Sequence, residues 1–301
     1  MPHFKIKDLV QEYYKSSDYN VLSDKSKVDY KNFINVMLTT KVDNKELGEH
    51  LAKRFAGAKA RRAYEQWLLR GVQMANHICA VSRKLYSFGM EMGYSETNPF
   101  ATFKRKTVKP RKVVWEREQI VKFLDEAYSD FNTRNIGLIV QMSYEWCQRI
   151  GDMRTLTFDC LDLNNQVLNL EQSKRGATVH LPISDGLTEM LKEQQSDFDF
   201  QKYVAPFPRP KAGEYMPYEL VQLSMAARVI MRRIGLPENL RIADLRRTGT
   251  TEMVEAGVSM GQIMSVTGHA NPSSVKPYMK NTYTSAESAL TARKNHVTST
   301  L

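Results

Sequence analysis

Apolar side chains recur at three- and four-residue steps through most of this chain, and that period predicts a mainly helical protein. The first hundred residues read as helices joined by short turns, with no convincing alternating strand. A short periodic piece covers Lys7 to Tyr14, and a second begins near Asp24 and carries Val28, Phe33, Ile34 and Met37. From Leu51 to Gly71, Phe55, Tyr64, Trp67 and Leu68 alternate with Lys53, Arg54, Lys59, Arg61, Arg62 and Arg70. This stretch predicts one or two helices, apolar below and cationic above; a merely solvated charged face is the alternative. The clearest helix runs from about Val72 to Met92, where Ile78, Val81, Leu85, Phe88 and Met92 share a face and Gly93 supplies the stop. Asn98-Pro99 then closes the first domain.

The second half opens with helices around Glu116 to Ala127 and Arg134 to Trp146, the latter with Ile136, Ile139, Val140 and Ser143 in step. The period then changes. Thr157-Phe158, Val167 to Leu170 and Thr178 to Ile183, with a turn at Lys174-Arg175-Gly176, read as a small antiparallel sheet with Lys174 at a hairpin tip. Helical spacing returns from Tyr218 to Gly235 and from Asp244 to Ala256, and Ala286, Ala289 and Leu290 carry it into the tail, for which a frayed end is the alternative. The organisation expected is a helical domain over residues 1–103, a linker over 104–114, and a second domain over 115–301 whose tail starts at 279.

Length and charge sharpen this outline. The 301 residues are enough for two packed cores, and 42% hydrophobic content excludes a disordered basic tail. Three scattered cysteines, Cys79, Cys147 and Cys160, lack metal or redox spacing and fit a reducing compartment as buried inert thiols. The start of the chain lacks a signal-peptide core, and no apolar run approaches the ~20 residues that span a bilayer. A cytoplasmic protein without membrane contact is expected. The net charge of +10 calls for a polyanionic partner, for which nucleic acid is the common intracellular choice. Six cations in the nine residues Lys104 to Lys112 concentrate that charge; six phosphate contacts would contribute roughly −5 to the slope of log K against log salt. A plain solvated linker is the competing reading.

The second domain also carries a scattered chemical set: Arg149-Ile150-Gly151-Asp152, Lys174 on a hairpin, Asp244-Leu245-Arg246-Arg247-Thr248, Gly268-His269, and Tyr278 nine residues after that histidine. In order and spacing this resembles the tyrosine recombinase (phage integrase) family, and Gly93 to Phe100 resembles the exit from that family's core-binding domain. The resemblance implies a mainly α fold: a helical, SAM-like N-terminal core-binding domain and a mixed, mostly α-helical catalytic domain with a small antiparallel β-sheet. It implies site-specific DNA recombination through a 3′-phosphotyrosyl intermediate for integration or excision of a phage or mobile element, on double-stranded DNA, as a homotetramer, with possible accessory bending or directionality factors. No metal and no cofactor is implied. The start of the chain, directly at the core-binding part, predicts a simple recombination site.

The residue types suit that chemistry. Two permanently charged, bidentate guanidiniums, Arg149 and Arg246, suit the non-bridging oxygens of a phosphodiester. Tyr278 resembles the nucleophile, with Tyr283 as the runner-up, Lys174 the general acid for the departing 5′-oxygen, and His269 the phosphate-binding imidazole. Asp152 resembles an acid that holds Arg149 or the neighbouring helix. Candidate DNA contacts are Lys53, Arg54, Arg61, Arg62, Lys84, Lys104, Arg105, Lys106, Lys109, Arg111, Lys112 and Arg175. Two departures from the family pattern stand out. Ala243 occupies the usual place of a histidine three residues before the second arginine, and Trp146-Cys147-Gln148 replaces a common Thr-Gly-Leu, bearing on the packing behind Arg149 more than on its role. Ala243 keeps a noncatalytic DNA-binding protein of the same fold in view, the shared chemistry keeps a type IB topoisomerase-like nicking-closing enzyme, and charge alone would allow an RNA-binding protein.

Overall fold

A computed structural model describes residues 3–174, 176–198, 200–278 and 283–299. The chain divides into two compact units, Met1–Arg111 and Lys112–Leu301, and the family of folds expected from the resemblance, mainly α with small antiparallel sheets, is the one observed.

The first unit holds α1 (Ile6–Lys15), α2 (Ser17–Asn20), α3 (Asp24–Thr39), α4 (Gly57–Leu68) and α5 (Val72–Glu91). Its core is aromatic: Tyr13, Phe55, Tyr64, Trp67, Tyr86 and Phe100 are all fully buried. Trp67 satisfies its indole by donating to Thr40 Oγ1 at 2.8 Å. The exit from α5 is fixed by Asn98, whose amide donates to Arg83 O and Ser87 Oγ while its Oδ1 accepts the Phe100 N–H. Two expectations for this unit need correction. A short hairpin, β1 (Lys41–Val42) with β2 (Lys45–Glu46), lies where no strand was read; Asp43 and Asn44 both take positive φ and supply the tight turn, a signal that two-residue strands are too short to reinforce. Helix α4 starts only at Gly57, because Ala52–Arg54 forms a 3₁₀ turn instead of a first helix. The basic segment is irregular, and its Lys106 is tied to this unit: its N–H donates to Tyr64 Oη and its carbonyl accepts from Asn76.

The second unit contains α6 (Arg117–Tyr128), α7 (Phe131–Glu145), α8 (Ile150–Met153), α9 (Asp185–Phe198), α10 (Leu220–Arg233), α11 (Leu245–Glu255), α12 (Met260–Thr267) and α13 (Tyr283–Ser299). Helix α7 starts one turn earlier than its apolar period indicates because Asp130 caps it, accepting from the Asn132 N–H. Helices α9 and α12 were not read as helices; α12 is only eight residues long, opened by the Ser259/Gln262 capping box and closed by left-handed Gly268. The sheet is three-stranded and antiparallel, ordered β3 (Leu161–Asp162), β4 (Val167–Glu171), β5 (Thr178–Pro182), with Glu171 opposite Thr178. Leu168, Leu170, Val179 and Leu181 alternate inward, which fixes the register and so places residues 172–174, 176 and 177 in the connecting turn. Trp115 fastens the start of this unit to α11, its N–H donating to Thr248 Oγ1 and its indole to Arg241 O. Among the described residues no helix is long and apolar enough to cross a membrane.

Cys147 and Gly249 form an interlocked pair. Cys147 ends α7 with φ +51, a left-handed conformation that glycine adopts at lower cost, and a Cβ on Gly249 would stand 2.5 Å from its Sγ. Replacing Gly249→Ala is therefore expected to destabilise the second unit by about 1–3 kcal/mol. Adding Cys147→Gly should recover most of that loss, as measured by denaturant unfolding of both single variants and the double; purely additive losses would refute the pairing.

Candidate active site

Chain reversals, not helix interiors, deliver the side chains of the candidate set. At the end of α7 the Cys147 N–H donates to Tyr144 O and the Gln148 N–H to Ser143 O, a paired closure around a left-handed residue. The chain then re-enters a helix one residue after Arg149, so this side chain stands at the N-terminus of α8 and does not close α7. Arg246 is the second residue of α11 and is 8% exposed. His269 follows the Gly268 cap of α12, and Tyr278 ends a 3₁₀ turn, Lys276–Tyr278.

These side chains meet through neutral acceptors. Arg149 Nη1 donates to Gln172 Oε1 at 2.6 Å. Arg246 donates to Cys147 O at 3.2 Å and, through Nη2, to Thr267 O at 2.6 Å and His269 Nε2 at 3.1 Å. A guanidinium only donates, so Nε2 must be the bare nitrogen of His269. The ring proton then sits on Nδ1, 2.8 Å from Thr267 Oγ1, whose own proton goes to Ile263 O at 2.7 Å. The imidazole is neutral by this chain of donors. Burial, and after it the positive charge of Arg149, pushes Arg246 down to about 10. Among the described residues no carboxylate pairs with Arg246, and the one acid within 4.0 Å of the Arg149 guanidinium is Asp152, 3.9 Å from its Nη1.

Asp152 is 4% exposed, and its closest partner is Ser173, whose N–H and hydroxyl both donate to Oδ1. The carboxylate thus pins the residue before Lys174 as well as facing Arg149. Lys174 is exposed on the turn and, with Arg149, Gly268, His269 and Ser274, lines a polar pocket of about 120 Å³. The half-buried Tyr278 ring lies 6.4 Å from the His269 ring and 4.8 Å from the guanidinium carbon of Arg247, which covers its face.

Several participants were not singled out from the sequence. Arg247 was visible only as the neighbour of Arg246; one helical step turns it to a different face, toward Tyr278. Gln148 entered only through the Trp146-Cys147-Gln148 departure and Thr267 only as the residue before Gly268-His269; with Gln172, they are buried uncharged residues that no spacing rule separates from packing. Ser274 joins the pocket from the loop before Tyr278. Ala243 carries its methyl at an exposed 3₁₀ turn, in a groove beside α10 with Ile150 and Arg241. No group of three His, Cys, Asp or Glu side chains among the described residues could hold a metal.

Four candidate DNA contacts of the first unit are exposed and already face acids: Lys53 with Glu96 at 4.0 Å, Arg61 with Glu65 at 3.0 Å, Lys84 with Asp18 at 2.7 Å, and Arg62 with Asp43. Arg54, Lys104, Arg105, Lys106, Lys109 and Lys112 are exposed, and Arg111 is half-buried. Arg175 lies outside the described residues, as does the side chain of Tyr283.

A family model described as the phage integrase family matches residues 114–285. Among solved structures, the fold resembles a lambda integrase dimer bound to a COC′ core site (TM-score 0.75, 14% identity, 91% of this chain and 95% of that one). It also resembles the Tn1549 transposon integrase in complex with circular intermediate DNA (TM-score 0.75, 16% identity, 95% and 99%). A third likeness is a lambda integrase tetramer bound to a Holliday junction (TM-score 0.74, 15% identity, 93% and 78%). No curated protein sequence matches.

The cationic pair, Arg246 buried and Arg149 half-buried, should bind a small oxyanion. Sulfate at ten times its Kd is expected to stabilise the folded second unit by about 1.4 kcal/mol, seen as a rise in melting temperature over sodium chloride of equal ionic strength. Arg246→Met should lose that rise; an equal rise in the variant would mark a general salt effect.

Proposed function

This chain belongs to the phage integrase family, the tyrosine recombinases that cleave and rejoin DNA, and from that membership we propose that it is an active site-specific recombinase using a phosphotyrosyl intermediate. The observation that carries the reading is the convergence of the candidate set. Arg149, Lys174 and His269 line one small polar pocket, Arg246 is hydrogen-bonded to His269, and Tyr278 stands beside that ring.

In the proposed reaction Tyr278 Oη attacks the phosphorus, forming a 3′-phosphotyrosyl ester while the bond to the 5′-oxygen breaks. Lys174 gives its proton to that oxygen, leaving a free 5′-hydroxyl. Arg149 and Arg246 bind the non-bridging oxygens, whose charge grows in the transition state. When phosphate draws the Arg246 donor away from His269, the bare Nε2 becomes the acceptor for the phenolic proton. Rejoining reverses every step, so the energy of the broken bond is retained in the ester.

Double-stranded DNA is the proposed substrate. The cations of the first unit would exchange their acidic partners for phosphates, and the segment Lys104 to Lys112 would supply much of the salt dependence. Integration or excision of a mobile element is the proposed role, supported by the likeness to a transposon integrase. A homotetramer on DNA is supported by the likeness to a tetrameric relative.

Incubation with host and element DNA followed by sequencing of covalently captured ends should recover one discrete site with the protein on the 3′ side. On a nicked suicide duplex of that site Tyr278→Phe should give no adduct, and Arg149→Ala should slow adduct formation about 10²–10³-fold. Plasmid relaxation without recombinants would favour a nicking-closing enzyme instead; duplex binding without any adduct from the unaltered chain would favour a noncatalytic factor. Ala243→His should preserve or raise the cleavage rate on the same duplex, and complete loss would show that the pocket is built differently from its relatives.

A further inference from the structure

Gln172 is a fully buried polar residue whose amide is committed at both ends. Its Oε1 accepts from Arg149 Nη1 at 2.6 Å, and its Nε2 donates to Gln148 Oε1 at 2.6 Å and to Thr267 O at 2.8 Å. Thr267 O also receives Arg246 Nη2, and Thr267 Oγ1 holds the His269 ring. Gln172 thus grips one arginine directly and stands one shared acceptor away from the other. It also begins the turn that carries Lys174, its N–H bonded to Ala177 O and its carbonyl to the Gly176 N–H. The approach is close: a Cβ on Gly268 would lie 2.6 Å from Nε2.

We propose that Gln172 is a positioning residue for DNA cleavage, its neutral amide setting the Arg149 guanidinium against Arg246 without cancelling the positive charge that the scissile phosphate must meet. This rests on the cleavage reading given above. The chemical reason for an amide is specific. The site asks for one acceptor toward Arg149 and two donors toward Gln148 Oε1 and Thr267 O, which a primary amide supplies. A carboxylate of the same shape would accept from Arg149 but would neutralise it, and it would set its other oxygen against two acceptors. An apolar side chain would leave Arg149 unaimed and Gln148 Oε1 without its donor. Ser173, held by Asp152, anchors the same turn independently, so loss of the amide should disturb the arginine more than the lysine.

The test uses the full chain and a nicked suicide duplex carrying the captured site, made once with a phosphodiester and once with a methylphosphonate at the cleavage point. The methyl group removes the negative charge that the guanidiniums oppose, so a fault in aiming them should matter less there. Q172E is expected to bind the duplex within threefold of the unaltered chain and to cleave the phosphodiester at least 100-fold more slowly, with the deficit shrinking at least tenfold on the methylphosphonate. Q172M, neutral and of similar length, should show the same pattern at about tenfold loss, and it decides the matter if Q172E fails to unfold cooperatively. Cleavage within threefold of the unaltered chain, or an equal deficit on both linkages, overturns the proposal. Absence of adduct from the unaltered chain would count against the cleavage reading itself and so remove its premise, whereas an active parent with an unimpaired Q172E counts against Gln172 alone.

Discussion

Two like charges held close together inside a protein set the terms for the second unit. Arg149 and Arg246 repel each other, and burial of Arg246 adds the cost of removing a guanidinium from water. The fold does not relieve that cost with carboxylates at contact distance. It surrounds the pair with backbone carbonyls, one glutamine amide and a neutral imidazole, all of which orient guanidiniums while leaving their charge in place. Stability is given up locally so that an incoming anion meets uncancelled charge in a small pocket. Under the proposed reaction, this is the form expected of a site arranged for a transition state instead of for the resting protein.

Meeting that condition explains otherwise odd local choices. Cys147 accepts a left-handed backbone because its carbonyl must point at Arg246, and Gly249 remains without a side chain because the thiol occupies that space. Gly268 ends α12 in the left-handed region and admits Gln172 where any Cβ would collide. Asp152 spends its better hydrogen bonds on Ser173, holding the turn, and keeps its second oxygen toward Arg149 at 3.9 Å, near enough to orient but too far for a tight ion pair.

The first unit handles charge in the opposite way. Its cations are exposed and many rest against nearby acids, so each pairing is weak, screened by salt and easily exchanged for a phosphate. Its rigidity comes instead from aromatic packing around Trp67 and Phe100 and from the polar ties of Asn98 and Arg83 at the exit of α5. One unit therefore invests in fixed charge and the other in replaceable charge, a division suited to the proposed reaction, in which the chain first grips a polyanion and then acts on one phosphate.

The residues that stood out along the chain, through the family resemblance, were those whose proposed chemistry requires a particular side chain: the arginines, the hairpin lysine, the histidine after a glycine, and a tyrosine at fixed spacing. Long helices such as α5 and α7 were legible because burial of one face imposes a period on many residues at once, and β4 and β5 because alternation persists over five positions. What stayed hidden was short or uncharged. Two-residue strands and the eight-residue α12 carry too few positions for a period to show. Gln148, Gln172 and Thr267 matter only because α7, β4 and α12 end within hydrogen-bonding reach of one another, and no residue by itself records which distant segment will become its neighbour. Composition and spacing determined which groups were available and roughly which elements would hold them. Their shared acceptors, the proton on Nδ1 of His269 and the stacking of Arg247 over Tyr278 were decided only in three dimensions, because hydrogen bonds depend on angles and separations measured across elements far apart in sequence.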